Sequence, residues 1–277
     1  MNRIEGRYIS LLTDFGFIRI FGTKPNKDLL INFLNSLFEG FQVIKDVKYL
    51  NSEHVGDVFA ERKPIFDVYC ENEKGEKFIV EMQNASIFPI REQAPKGADW
   101  NFKLDHVYIV ALLNFDLSEE AFDKDDINHD VGLLDKKTHK VFNDKLSFKY
   151  VKIAKFDKTE DELVTLYDKW LYVLKNLSRL DERPAALKEK VFTKLFEEAE
   201  IAKFTPTELK EYEDSLKAYR DVKNSIDTAL EKGREEGRAE SKNLKVIQIA
   251  KKMLAAGMDI DTVINMTDLS KSEIEKL

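Results

Sequence analysis

The chain has 277 residues, of which 43% are hydrophobic and 34% charged, so it can bury a core and lacks the composition of a disordered protein. Its one cysteine, Cys70, excludes an internal disulfide and a cysteine-based zinc site within one chain, and favours a reducing compartment. The net charge of −7 and the isoelectric point near 5.4 exclude a generally basic nucleic-acid coat, so any contact with DNA must be local.

The N-terminal half mixes helix and strand signals. Apolar residues at helical spacing predict an amphipathic helix over Lys27 to Leu37. Short β-rich runs then predict strands within residues 41–50, 65–70, 78–83 and 106–115, the last a continuous apolar run typical of a buried strand. The longest apolar stretch, VYIVALL at 107–113, is too short to span a bilayer, and the first residues lack a signal-peptide pattern. We therefore predict a cytoplasmic protein without membrane contact.

Residues 135–155 form a local basic run in which seven lysines stand against two aspartates, a net charge of +5. Lys136, Lys137 and Lys140 are candidate contacts to nucleic acid in this run. The alternative, a basic face that is merely solvated, is the commoner situation for such runs.

The region after residue 158 has almost entirely helical signals and predicts three long helices. Capping-box spacings mark helix starts at Thr159, Thr205 and Ser270, and Pro206 occupies a first helical position. Glycines and dense charge at 232–242 suggest a hinge or a partly disordered segment. The predicted domains are residues 1–157, 158–257 and 258–277.

The last of these domains predicts two short helices that meet near residues 267–270. They are compatible with a helix-turn-helix that binds DNA. The segment has few basic residues and no cluster of base-reading side chains, which favours the other interpretation, a helical hairpin that packs or forms a homo-oligomer.

The most informative segment is PIFDVYCENEKGEKFIVEMQ at 64–83, in which two strand runs flank a polar turn ending at Gly75. A three-residue loop with Gly75 in the left-handed conformation places Asn72 opposite Glu76. Counting outward, Asp67 then lies opposite Glu81. Directly opposed carboxylates destabilise a sheet, and a divalent cation such as Mg²⁺ relieves that repulsion.

Strand alternation places Glu81 and Gln83 on the same face of the second strand. A metal, two carboxylates and an amide on one face suit phosphodiester hydrolysis, because the metal binds the phosphate and lowers the pKa of a water. A shift of one residue in the register would separate these groups. The alternative is a solvated face on which Asp67 and Glu81 pair with nearby lysines.

The motif Asp67…Glu81-Met82-Gln83 resembles the PD-(D/E)xK nuclease signature with Gln in place of Lys. More specifically, the chain resembles the Rpn family of recombination-promoting nucleases and transposases. The resemblance extends over TDFGFIRIFG at 13–22, KDLLINFLNSLF at 27–38, VKYLN at 47–51, FDVYCENEKGEKFIVEMQ at 66–83 and the tail at 249–277.

The resemblance implies an α/β fold, in which a restriction-endonuclease-like mixed sheet flanked by helices cuts DNA with Mg²⁺ or Mn²⁺ and precedes an α-helical C-terminal region. Asp67, Glu81 and the main-chain carbonyl of Met82 would bind the metal, and Gln83 would orient the attacking water without supplying charge. Asp14 matches an acidic family position that could support a second metal or a water. An N-cap or turn role for Asp14 is an equal alternative.

The segment after Gln83 departs from the family pattern by being about a dozen residues shorter. We therefore interpret Arg91 as an ordinary surface arginine in preference to a residue that contacts DNA. The four histidines show no metal-ligand spacing, and no chemistry is assigned to them. Two functions compete: a Mg²⁺-dependent DNA endonuclease, and a catalytically degenerate nuclease fold that binds DNA or assembles oligomers.

Overall fold

A computed structural model of the chain describes residues 6–50, 68–82, 105–115, 125–274 and 276–277, with the backbone alone for residue 82. Six strands form one mixed sheet. They are β1 (Val47–Tyr49), β2 (Val68–Asn72), β3 (Lys77–Met82), β4 (Val107–Leu113), β5 (Asn128–Leu134) and β6 (Val141–Lys152). Their order across the sheet is β1-β2-β3-β4-β6-β5. Strands β3, β4 and β6 are parallel, and the remaining neighbours are antiparallel.

Seven α-helices are described. They are α1 (Asp14–Phe21), α2 (Lys27–Leu37), α3 (Leu166–Asn176), α4 (Lys190–Glu198), α5 (Pro206–Ala255), α6 (Ile260–Thr267) and α7 (Lys271–Ile274). No helix in the described ranges is both long and apolar enough to cross a membrane.

The two faces of the sheet contribute to separate hydrophobic clusters. Phe78 and Val80 of β3 belong to the larger cluster, which also contains the buried hydrophobic residues of helices α1 to α4 and Tyr212 of α5. Ile79 belongs to a smaller cluster with Tyr69, Val107, Ile109, Leu146 and Phe148. Strand β4 is buried along its whole length because it lies between two parallel neighbours and packs on both faces. The predicted α/β fold with a mixed sheet and flanking helices is confirmed.

The helix over Lys27–Leu37 and strands in the four predicted regions are confirmed. Strands β1 and β4 are shorter than predicted, whereas β2 ends and β3 begins slightly beyond the predicted limits. Strands β5 and β6 were not predicted, and their region was treated only as a basic run. The omission has a physical reason, because residues 131–142 are all exposed and the hairpin therefore lacks the alternation of buried and exposed positions that marks most strands.

The helical prediction after residue 158 is confirmed, but its details need two corrections. Thr159 and Glu162 do form a capping box, yet the box begins a short 3₁₀ turn, and of the predicted long helices only α5 is long. Residues 232–242 lie within the continuous helix α5, so the predicted hinge is wrong at the level of the backbone. Helix α5 continues through Gly233 and Gly237, although each glycine lowers helix stability by about 1 kcal/mol relative to alanine.

The chain divides into two compact units, one extending to Tyr219 and the other comprising Arg220–Leu277. In the second unit, the buried residues Ala250, Val263, Leu269 and Ile274 form a small core of their own. In the first unit, the helices after residue 158 share the larger cluster with the sheet. This division at Tyr219 differs from the predicted domain limits at residues 157 and 257, which stay a prediction.

Candidate nuclease site

The β2–β3 turn sets the register of the strands that carry the predicted site. Gly75 has φ of +79°, the left-handed conformation predicted for it. The Gly75 amide donates to the Asn72 carbonyl at 3.1 Å, and the Asn72 amide donates to the Glu76 carbonyl at 3.0 Å. Beyond this turn, β2 and β3 pair in the register Glu71↔Lys77, Cys70↔Phe78, Tyr69↔Ile79 and Val68↔Val80. The predicted register is confirmed over all four of these pairs.

The Asn72 side chain fastens this turn from within. Its Oδ1 accepts hydrogen bonds from the amides of Lys74 and Glu76, both at 3.0 Å, and its Nδ2 donates to Glu76 Oε2 at 2.7 Å. Asn72 is only 5% exposed, so water cannot easily replace these bonds. The hydrogen bonds of the Asn72 side chain therefore stabilise the turn and, with it, the register of β2 and β3.

Asn72→Ala should lower the free energy of unfolding by about 1 to 3 kcal/mol, because it leaves the amides of Lys74 and Glu76 without their acceptor in a partly buried turn. Urea unfolding followed by circular dichroism measures the change. Glu76→Ala is the matched variant: it removes only the bond from Nδ2, so its loss should be clearly smaller. Equal losses in the two variants would contradict the assigned role of Oδ1.

Glu81 lies on the same sheet face as Ile79, near the carboxyl end of β3, and is 3% exposed. The predicted partners Asp67 and Gln83 lie outside the described residues, as does Arg91. The observed β2–β3 register ends at the pair Val68↔Val80, one position before the predicted pair. The Asp67–Glu81 pair itself stays a prediction.

The donor chemistry at Glu81 can be compared with what a divalent metal needs. A buried carboxylate is costly unless it is paired or coordinates a metal, and carboxylate oxygens are the ligands that Mg²⁺ prefers. Within the described ranges no group of three or more His, Cys, Asp or Glu side chains could hold a metal ion. The Glu81 carboxylate is a suitable donor for a divalent cation, and the predicted ligand set of Asp67, Glu81 and the Met82 carbonyl stays a prediction.

Asp14 is exposed at the first position of helix α1. Thr13 is the N-cap of that helix, since its side chain accepts a hydrogen bond from the Gly16 amide at 3.1 Å. The N-cap interpretation of Asp14 is therefore wrong, although a carboxylate in the first turn still interacts favourably with the helix dipole. The buried residues of α1 belong to the larger cluster, on the sheet face opposite Glu81. A metal-supporting role for Asp14 stays a prediction.

The register across the sheet identifies polar residues that the sequence did not indicate. Glu81 pairs with Ala111, Ala111 with Tyr150, and Tyr150 with His129. These four residues lie at one level on one sheet face. Because β4 pairs with β6 and not with the strand that follows it in the chain, local sequence could not reveal this row. No chemistry was predicted for His129.

Burial controls ionisation on the strands around the hairpin. Burial raises the pKa of the Cys70 thiol and of the Tyr108 hydroxyl, each to about 12, so both groups stay protonated at neutral pH. Burial lowers the pKa of His106, whose Nε2 lies 2.9 Å from Ser147 Oγ. These three side chains are consequently neutral packing groups at neutral pH.

The basic run is divided by the fold. Lys136, Lys137 and Lys140 lie in the exposed turn between β5 and β6. Lys149 instead pairs with Asp130 at 2.5 Å, and Lys152 is 1% exposed. The basic run therefore does not form one surface, because strand alternation and burial separate its lysines, and a nucleic-acid contact by Lys136, Lys137 and Lys140 stays a prediction.

The second unit has the organisation of a small helical domain. Asp259 caps α6 by accepting from the Thr262 amide at 2.9 Å, and Asp268 ends that helix in the left-handed conformation with φ of 56°. The predicted Ser270–Glu273 capping box begins α7, since Glu273 Oε2 accepts from the Ser270 amide at 2.8 Å and the Glu273 amide donates to Ser270 Oγ at 3.3 Å. Together with the end of α5, the two helices enclose the small core.

Comparison with known families agrees with the sheet and with the C-terminal helices. Residues 11–229 match the model of the PD-(D/E)XK nuclease family transposase, and residues 243–277 match the C-terminal HTH domain of the Rpn/YhgA-like nuclease family. No curated protein and no solved structure matches the chain. The second match favours the helix-turn-helix interpretation over a simple packing hairpin. Because the first match spans well over half of its residues, the chain belongs to the PD-(D/E)XK nuclease family transposases of the Rpn type.

Proposed function

We propose that the protein is a metal-dependent DNA endonuclease that acts in recombination or transposition, with Asp67, Glu81 and the Met82 carbonyl as metal ligands. The observation that supports the proposal is the burial of Glu81 on β3, together with a β2–β3 register that matches the predicted one over the pairs Val68↔Val80 to Glu71↔Lys77. Membership of a nuclease family supports the same chemistry.

When bound, Mg²⁺ or Mn²⁺ would lower the pKa of a water and stabilise the negative charge that develops on the phosphodiester in the transition state. The chain's own residues have separate tasks. Glu81 and Asp67 hold negative charge at the sheet, and Gln83 orients the nucleophilic water through hydrogen bonds without contributing charge. The C-terminal HTH domain would add affinity for DNA, and a homo-oligomer through the C-terminal helices and a cytoplasmic location stay predictions.

Metal removal tests the proposal directly. Supercoiled plasmid should be nicked in Mg²⁺ or Mn²⁺, and excess EDTA should stop the reaction because the phosphate loses its charge stabilisation. Restoring the metal should restore nicking. Asp67→Ala should remain folded and fail to nick, and nicking that persists unchanged in this variant would contradict the proposal.

The alternative function, a degenerate nuclease fold that binds DNA or assembles, is favoured by the neutral Gln83. Calorimetric titration with Mn²⁺ separates the two functions. The nuclease should bind Mn²⁺ in a manner that depends on Glu81, whereas a degenerate core should show no such binding.

A further inference from the structure

The hairpin formed by β5 and β6 continues beyond the sheet. Strand β6 pairs with β4 only from Leu146 onward, whereas β5 accompanies β6 as far as Leu134↔Val141. Residues 133–145, here called the arm, are exposed at every position except Asn143, which is half-buried. The arm is thus a two-stranded ribbon with both faces accessible.

Large apolar side chains are unusually accessible on this arm. Phe142 is 79% exposed, Val141 64% and Leu134 55%. A two-stranded ribbon has no interior in which to bury such groups, and contiguous apolar side chains at the surface generally mark a contact site. The exposure therefore indicates a partner that covers the arm.

The charge of the arm indicates the chemistry of that partner. Lys136, Lys137, Lys140 and Lys145 are exposed and stand against two aspartates, a net charge of +2 in a chain whose net charge is −7. Asp135 is committed to the turn: its Oδ1 accepts from the Thr138 amide at 2.6 Å and from the Lys137 amide at 3.1 Å. The hydrogen bond from the Thr138 hydroxyl at 2.7 Å, followed by those from the two amides, lowers the pKa of Asp135. These bonds hold Asp135 in the turn, and the lysines stay exposed to a polyanion.

Resting on the proposed function, in which DNA is the substrate, we propose that the arm binds duplex DNA, with its lysines on backbone phosphates and Phe142 against a groove wall. A two-stranded ribbon fits the major groove, and apolar side chains between cations are a known means of groove contact. A second copy of the chain is the less suitable occupant, because a two-fold contact between arms would bring their lysines together.

The register also locates the contact relative to Glu81. Glu81 is level with Tyr150, which lies opposite His129, whereas Val141 lies opposite Leu134. Five residues of β5 separate His129 from Leu134, on the order of 17 Å at about 3.3 Å per residue, and the additional residues of β6 are taken up by two register shifts. At about 3.4 Å per base pair, the arm would meet the duplex about five base pairs from the cleaved bond. The arm is therefore a positioning surface for the duplex and takes no part in the chemistry.

Fluorescence anisotropy with a labelled 30-base-pair duplex, in EDTA so that no cleavage intervenes, tests the arm in the full chain. The variant Lys136→Glu with Lys137→Glu and Lys140→Glu should lose about tenfold or more in affinity and show a smaller salt dependence, because three phosphate contacts are lost. Phe142→Ser should lose affinity with little change in salt dependence. Melting by circular dichroism checks that the variants are folded.

The matched control changes three exposed lysines of the same unit, Lys188→Glu, Lys210→Glu and Lys217→Glu, with an identical change in net charge. This variant should lose no more than about threefold, by general electrostatics alone. Equal losses in the two triple variants would overturn the arm as the contact site.

Light scattering distinguishes a self-association role. If Phe142→Ser lowers the oligomer mass while DNA affinity stays unchanged, the arm binds a second copy and the inference is wrong. The proposed function can fail separately: a wild-type chain that binds duplex through the arm but never nicks plasmid leaves the inference standing. A wild-type chain that binds no duplex overturns both.

Discussion

Glu81→Gln is expected to abolish DNA cleavage, with a loss of at least about a thousandfold in rate. That loss corresponds to about 4 kcal/mol of transition-state stabilisation, within the range that a metal ligand supplies. Glutamine has the size of glutamate, and the 3% exposed site should accept it without a cavity. The variant therefore separates the charge of the carboxylate from its packing.

Mn²⁺ should also stop stabilising this variant. A ligand that binds the folded state raises its stability in proportion to the logarithm of its concentration over the dissociation constant. Thermal unfolding with and without Mn²⁺ should show a shift in the wild type and little or none in Glu81→Gln. An unchanged shift together with unchanged nicking would contradict the assignment of Glu81 as a ligand.

Glu71→Gln is the matched control for Glu81→Gln. Glu71 lies on β2 opposite Lys77, at the other end of the same hairpin, with Lys77 Nζ 3.8 Å from its Oε2. Its carboxylate is partly exposed, so its removal should cost little stability and leave nicking intact. A loss of nicking equal to that of Glu81→Gln would indicate a general effect of charge on the hairpin.

Trp170→Ala is expected to give the largest loss of stability, about 3 to 5 kcal/mol in the free energy of unfolding. Trp170 is fully buried, and its ring centroid lies 5.6 Å from those of Phe21 and Phe33 and 5.1 Å from that of Phe192. These rings belong to α1, α2 and α4, so a single side chain of α3 joins four helices over the sheet. Urea unfolding measures the change.

Trp170→Phe separates packing from hydrogen bonding at this site. The variant keeps an aromatic ring but loses the bond that Trp170 Nε1 donates to Asn32 Oδ1 at 2.8 Å. Its loss should be clearly smaller than that of Trp170→Ala, about 1 to 3 kcal/mol, because much of the packing remains. A Trp170→Ala variant that loses less than about 1 kcal/mol would show that α3 is not part of the sheet's core.

Several features were accessible from sequence because their causes are local. The turn at Gly75 depends on one left-handed residue and on Asn72, so counting along the chain was sufficient for the register. Helix α2 has apolar residues at helical spacing, and Ser270 with Glu273 forms a capping box within four residues. The family resemblance rested on the same local segments and is confirmed.

Other features depended on contacts between distant segments. The exposure of the arm could not be deduced from sequence, because its residues show no alternation of apolar and polar positions. In the sequence its lysines also look the same as Lys149 and Lys152, which the fold pairs with Asp130 and buries, respectively. The row from Glu81 to His129 requires β4 to pair with β6, a contact that no local pattern encodes. The inclusion of Trp170 in the sheet's core likewise depends on long-range packing.

The sequence by itself determined the β2–β3 register, the chemical type of the residues at positions 67, 81 and 83, and the family, because turn geometry and strand alternation act over a few residues. Only the tertiary structure decided that Glu81 is buried, that α3 and α4 complete the larger core, and that four lysines extend on an arm away from the sheet. Burial and strand order arise from contacts between residues far apart in the chain, and hydrophobic packing selects those contacts only when the whole unit folds.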